Sequence, residues 1–246
     1  MAEIRTFYYD GQVSVNQLVL IQGNDFHHIR NVLRLQENDL IVLLTTDSKY
    51  QGKIVSFSIV NVQILILKKE ETKPFLPIIH LIQGLPKGWK MDEIIEKSTE
   101  MGVSTISPVY MDRSIPRLSA DEEKNKAKRW EKIAIAASKQ SRRNNVPAVF
   151  PLVSFEKKIQ SFDSFTGSRI LCWELEQRKS LLAYLQTNHV TEYLVVIGPE
   201  GGISYEEVKV CEEHDFTAIS LGDTILRTET AAPFSIGLIA YLWNTA

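Results

Sequence analysis

Tyr193-Leu-Val-Val-Ile-Gly-Pro-Glu-Gly-Gly202 is an apolar run of strand length that stops in a proline and a cluster of glycines. A strand without polar alternation is buried on both faces, the signature of a parallel sheet covered by helices. Ser204 and Glu207 follow as a capping-box pair, so the stretch reads strand, turn, helix. Glycines let a backbone approach a ligand closely. Ligands of open α/β sheets bind where such strands end, at their carboxyl edge. The turn is not G-x-G-x-x-G, and Glu200 would repel a pyrophosphate; an acidic turn suits a cationic or zwitterionic ligand. A plain tight β–α connection uses the same residues, so this turn by itself leaves ligand binding open.

Working outward, Ile78–Gln83, Thr105–Tyr110, Arg169–Trp173 and Ala218–Leu221 are further apolar runs of strand length. Helical patterns alternate with them. Met91, Ile94, Ile95 and Met101 share one face, and Trp130, Ile133, Ala134 and Ala137 share another. Ser204–Glu213 and Thr230–Leu242 complete the set, giving an α/β fold with a mostly parallel sheet and helices on both faces. After the Ala218–Leu221 strand, Ile225 and Leu226 sit in a loop, an apolar surface for a flat ligand. Thr228 is placed to cap the last helix, with Glu229 in its positively polarised first turn. Upstream, Leu40–Leu44, the alternation of Val55, Phe57 and Ile59, and that of Val62, Ile64 and Ile66 predict the short strands of a small β-barrel. One helix interrupts it, capped by Asn24 or Asp25, with Phe26, Ile29 and Leu33 facing inward. Lys68–Pro77 reads as a linker, which divides the chain into residues 1–72 and 73–246.

The net charge of −2 conceals a split. Residues 112–143 carry a net +5 and residues 150–246 a net −6. A basic middle fits either a polyanion-binding surface or a solvated helix face. Cys172 and Cys211 match no metal or redox spacing and read as reduced core thiols of a cytoplasmic protein. His27 and His28 point apart on a helix with no third ligand nearby, so no metal is expected. No apolar run is long enough to span a bilayer, and no signal peptide is apparent, so no membrane partner is expected.

Five ordered motifs carry a resemblance. The pair Gly198-Pro-Glu-Gly-Gly202 and Leu221-Gly-x-x-Ile-Leu-Arg-x-Glu-Thr-Ala231 resembles the SPOUT class of methyltransferases. Leu85-Pro-Lys-Gly88 with Lys97-Ser-Thr-Glu-Met-Gly102, then Asp112-Arg-Ser114, then Trp130-x-x-Ile-Ala-x-x-Ala-x-x-Gln-Ser-x-Arg143 narrow it. With Phe26-His-His-Ile-Arg-x-Val-Leu-Arg34 in the barrel, they resemble the RsmE-type 16S rRNA (uracil-N3) methyltransferases over nearly the whole chain. The resemblance implies a PUA-like β-barrel followed by a SPOUT domain with a trefoil knot. It also implies S-adenosyl-L-methionine as methyl donor, 16S rRNA of the small subunit as substrate, and a homodimer. The knot rests on the resemblance alone, since unknotted chains are the general rule. The chain departs from the family's usual pattern at Lys139 and Arg142, where Glu and Gly are common, and near Thr224, where a basic residue is usual.

Uracil N3 must lose a proton before it attacks a methyl group, and the resulting anion needs a positioned cation or donor. Arg143 is the first candidate and Arg113 the second. Lys97 and Glu100, three residues apart on one helix, fit a surface contact as well as a catalytic pair. The expected cofactor-binding residues are Gly198, Pro199, Glu200, Gly201 and Gly202 from one turn. From the other loop come Leu221, Gly222, Ile225, Leu226, Arg227, Thr228 and Glu229. His27, Arg30 and Arg34, at i, i+3 and i+7 of the barrel helix, form one expected RNA contact; Lys87, Lys90, Lys128 and Arg142 form others. Two alternatives stand beside this reading: a SPOUT enzyme acting on tRNA or on a 2′-hydroxyl, and a non-catalytic ribosome-assembly factor that binds RNA through the barrel.

Overall fold

The computed structural model describes residues 5–46, 48–70 and 77–245. The chain divides into two compact units, Met1–Pro74 with Ser138–Val146, and Phe75–Ala137 with Pro147–Ala246. The sequence-based boundary at 72/73 lies outside the described residues.

In the first unit, strands β1 (Arg5–Tyr8), β2 (Leu18–Gln22), β3 (Leu40–Leu44), β4 (Lys49–Phe57) and β5 (Asn61–Lys69) form one sheet in the order β1-β3-β4-β5-β2. Among the described residues only the β1–β3 pairing of this sheet is parallel. Alternation along β5 sends Val62, Ile64 and Ile66 into a core with Ile41, Leu43 and Ile54. β4 ends at Phe57, so Ile59 lies beyond the expected alternation and is 90% exposed. The helical insert is α1 (Gly23–His27) followed directly by a π turn over His28–Val32.

Two expectations fail at this insert. Gln22, not Asn24 or Asp25, occupies the cap position, and no side-chain cap bond forms. The Leu33 N–H reaches back to the His28 carbonyl, five residues away, so the helical period changes and Arg34 lies past the helix end at φ +53°. His27, Arg30 and Arg34 therefore do not form one stripe. Arg30, exposed at the surface, donates to the Ser58 carbonyl at 2.6 Å beside the rings of Phe26 and Phe57. His27 engages the Asn31 side chain. Ile29 is fully buried and plugs the barrel core.

The second unit is a parallel sheet in the order β12-β10-β11-β6-β7-β8, with β9 also on β7. Its strands are β6 (Ile78–Gly84), β7 (Thr105–Tyr110), β8 (Ala148–Val149), β9 (Val153–Ser154), β10 (Ser168–Cys172), β11 (Glu192–Ile197) and β12 (Thr217–Ile219). Its helices are α2 (Lys90–Met101), α3 (Ala120–Gln140), α4 (Phe155–Gln160), α5 (Leu181–Thr187), α6 (Tyr205–Glu213) and α7 (Thr228–Thr245); the last turn of α3 belongs to the first unit. β10 is buried along its whole length and β11 at all but its first residue, as unbroken apolar runs require. The capping box forms: the Ser204 hydroxyl accepts from the Glu207 N–H, and the Glu207 carboxylate accepts from the Ser204 N–H. Lys97 pairs with Glu93, one helical turn back, rather than with Glu100. Met101 departs from the buried face of α2; it lies against Gly237 of α7 and stays 47% exposed.

Register places Ile197 of β11 beside Gln83 of β6 and Cys172 of β10, with Ile219 of β12 beside Cys172. The carboxyl ends of four strands thus meet at one edge of the sheet, where ligands of such folds bind.

Candidate active site

At that edge, two chain segments face each other. β11 runs into the Gly198–Gly202 turn, closed by a Gly202 N–H bond to the Pro199 carbonyl at 3.0 Å. β12 runs into the Ser220–Arg227 loop that enters α7. Gly202 has φ +77°, and a β-carbon there would overlap the Glu174 carboxylate.

A buried latch fastens the two segments. Gln83, fully buried at the end of β6, donates from Nε2 to the Thr228 hydroxyl at 2.9 Å, the Gly84 carbonyl at 3.0 Å and the Gly198 carbonyl at 3.3 Å. The Thr228 hydroxyl donates to the Gly198 carbonyl at 2.7 Å. Thr228 therefore does not cap its helix with its side chain, contrary to expectation; its oxygen is spent across the cavity wall. The helix instead starts at the Arg227 carbonyl, which accepts from the N–H groups of Thr230 and Ala231.

Between the segments lies a cavity of about 430 Å³, within the range of about 300–1,000 Å³ usual for small-molecule sites. Eleven of the twelve expected cofactor residues line it, Gly198 through Gly202, Leu221, Gly222 and Ile225 through Thr228. Glu229 does not, but its carboxylate lies 3.6 Å from the ammonium of Lys90, which does. Lys90 also pairs with Glu200 at 2.9 Å, so the structure places it among cavity carboxylates. The hydrogen bond to Glu200 raises the Lys90 pKa. Burial disfavours the Glu200 carboxylate, yet the Lys90 bond and the Lys87 N–H outweigh it, and its pKa falls. Lys87 contributes that backbone N–H while its side chain stays exposed. Ile225, 82% exposed in the loop, offers an apolar wall.

Cys172, Trp173 and Glu174 also line the cavity, and sequence reasoning missed them. The available signal was the end of the apolar Arg169–Trp173 run, but only the strand order brings that end beside β11 and β12. Burial pushes the thiols of Cys172 and Cys211 up to about 12, so neither is a nucleophile.

Arg113 touches the turn from outside the lining, donating to the Gly201 carbonyl at 3.0 Å. Its neighbour Asp112 is locked to the capping box: the Ser204 hydroxyl donates to its carboxylate at 2.7 Å, and its N–H donates to Glu207 at 2.8 Å. Burial raises the Glu207 pKa against those hydrogen bonds. Arg143 belongs to the first unit and does not line the cavity. It is 6% exposed and donates to the Asn145 side chain at 3.3 Å. Burial pushes its guanidinium down to about 10, which leaves it cationic at neutral pH. Lys128 is exposed on α3, and Arg142 is exposed beside Arg143 at φ +57°.

The family model of the RNA methyltransferase domain matches residues 73–240, and that of the RNA methyltransferase PUA domain matches residues 21–65. Ribosomal RNA small subunit methyltransferase E of Bacillus subtilis is 34% identical over 227 residues, covering 90% of this chain and 89% of the relative. The protein of the same name from Buchnera aphidicola of Acyrthosiphon pisum is 30% identical, covering 95% and 92%. The crystal structure of ribosomal RNA small subunit methyltransferase E from Neisseria gonorrhoeae bound to S-adenosyl methionine aligns with a TM-score of 0.82 at 30% identity, over 98% of both chains. A methyltransferase from Legionella pneumophila, also solved with that cofactor, aligns at 0.79 with 26% identity, again over 98% of both chains.

Proposed function

This chain belongs to the ribosomal RNA small subunit methyltransferase E family, and we propose that it transfers the methyl group of S-adenosyl-L-methionine to N3 of one uridine in 16S rRNA. The observation that carries this reading is the latched cavity between the Gly198–Gly202 turn and the Leu221–Thr228 loop. Its residues suit the cofactor: Glu174 and Glu200 complement a cationic amino acid moiety, and Ile225 and Leu226 offer apolar surface to a flat base. When bound there, the cofactor supplies a methyl group already activated as a sulfonium.

The chain's own residues have two tasks. The first is orientation, which the Gln83–Thr228–Gly198 latch serves by fixing the cavity walls. The second is charge. Uracil N3 becomes a nucleophile once its proton passes to solvent water, with the negative charge shared by O2 and O4; the N3–CH3 bond forms as the S–CH3 bond breaks, and S-adenosyl-L-homocysteine leaves as the neutral thioether. Arg143 is the group assigned to stabilise that anion, and Arg113 supports the cofactor turn. The exposed Lys128, Arg142 and Arg34 are assigned to phosphate contacts, which position RNA without reading sequence. Half-exposed Phe234 and Met101, with Tyr241 at 68% exposure, support a homodimer through α7 and α2. The site of action is the cytoplasm, where ribosomal subunits are assembled.

The test is labelled methyl transfer with purified small subunits, large subunits and tRNA as competing acceptors. Label confined to the small subunit is the expected result. Label in tRNA would instead establish a related enzyme with a different substrate, and no label in any acceptor would favour a binding factor.

A further inference from the structure

Lys49 opens β4 and is only 8% exposed, an uncommon place for an ammonium. Its Nζ donates to the main-chain carbonyl of Arg142, 93 residues along the chain, at 2.6 Å. Burial lowers its pKa, opposed by nearby Glu70 and reinforced by Arg142. Other contacts surround this bond. The Val146 N–H reaches the Thr46 carbonyl at 3.2 Å, and Lys139 lies 3.7 Å from Asp25. Just before Lys49, the Thr45 hydroxyl donates to the Ser48 carbonyl at 3.0 Å. Arg142 holds φ +57°, a left-handed conformation that a side-chain-bearing residue keeps when its surroundings impose it. The carbonyl that Lys49 grips is therefore the hinge from which Arg143 departs.

We propose that Lys49 is a positioning residue: it clamps the left-handed Arg142 peptide and so fixes the backbone that presents Arg143. The barrel unit, on this account, is a scaffold for a catalytic segment as well as an RNA-binding module. The proposal rests on the reading of Arg143 as the residue that meets the uracil.

The experiment is a double-variant cycle on the full-length protein, with turnover measured at saturating cofactor and small subunits. Lys49→Met lowers turnover about tenfold, less than the ~10²-fold that a full 1 Å misplacement costs, and leaves cofactor affinity unchanged. Lys49→Arg, which keeps a cation and a donor, restores part of that turnover. In the Arg143→Ala background, Lys49→Met costs nothing further, because the group it positions is gone. An equal loss in both backgrounds overturns the proposal, since a merely structural lysine behaves that way. Wild-type turnover in Lys49→Met also overturns it. Should Lys49→Met fail to fold, Lys49→Leu, which also lacks a donor for the Arg142 carbonyl, replaces it in the cycle under the same criteria. Full activity of Arg143→Ala alone is a separate outcome and removes the reading on which the clamp depends.

Discussion

Replacing Thr228 with valine tests the latch with little change of shape. Thr228 is 6% exposed and Gln83 is fully buried, so bulk solvent is a poor replacement for the lost partners. The substitution deletes the bond to the Gly198 carbonyl and the one accepted from Gln83. Each such bond contributes about 0.5–1.5 kcal/mol net, and an orphaned buried partner adds to the loss. Here neither partner is fully orphaned. The Gly198 carbonyl keeps Gln83 Nε2 at 3.3 Å, and Nε2 keeps the Gly84 carbonyl at 3.0 Å. The total is therefore about 2 kcal/mol, a fall in melting temperature of about 4–8 °C for a domain of this size. The cofactor must also hold together two walls no longer fastened. A cost of about 1.4 kcal/mol at that step weakens its binding tenfold. Differential scanning calorimetry and titration calorimetry with S-adenosylmethionine read the two effects. Thr228→Ser, which keeps the hydroxyl, should bind the cofactor like the wild type. If Thr228→Val melts and binds as the wild type does, the hydroxyl bridge is not what holds the cavity walls.

Three further outcomes are expected. Gly202→Arg abolishes measurable cofactor binding, because its β-carbon alone collides with Glu174 and the backbone is left-handed; wild-type affinity would show that the cavity is misassigned. Lys128→Ala and Arg34→Gln weaken RNA binding, and each flattens the logarithmic salt dependence by about one unit, whereas unchanged slopes would return both residues to the solvated surface. Light scattering at micromolar concentration gives twice the chain mass of 28.0 kDa, and a monomer mass would leave Phe234 and Tyr241 without the proposed partner.

What the sequence revealed was local in origin. β10 and β11 announced themselves because strands buried on both faces have no polar alternation to confuse them with loops. The Ser204–Glu207 box was legible because its partners are three residues apart. The glycine turn and the Leu221–Thr228 loop were legible as motifs, and eleven of their residues share one cavity. What stayed hidden depends on strand order. Gln83 and Thr228 are 145 residues apart, and β6 beside β11 brings them together. The same adjacency gives Lys90 its carboxylate partners, although its position suggested RNA. The π turn at His28–Val32 breaks the spacing argument for Arg34, because a period of 3.6 was assumed where the bonding is wider. Nothing local marks Lys49, and the return of Ser138–Val146 to the barrel unit gives it the Arg142 carbonyl.

The central claim is the reaction, and the nucleoside formed tests it most directly. Small subunits from a strain lacking this protein are incubated with the enzyme and labelled S-adenosylmethionine, and the rRNA is digested to nucleosides for mass analysis. The account predicts one labelled product, 3-methyluridine, from 16S rRNA. It also predicts a turnover loss on the order of 10²-fold for Arg143→Ala, with cofactor binding intact. A labelled nucleoside other than 3-methyluridine would contradict the assignment of uridine N3 as the methyl acceptor.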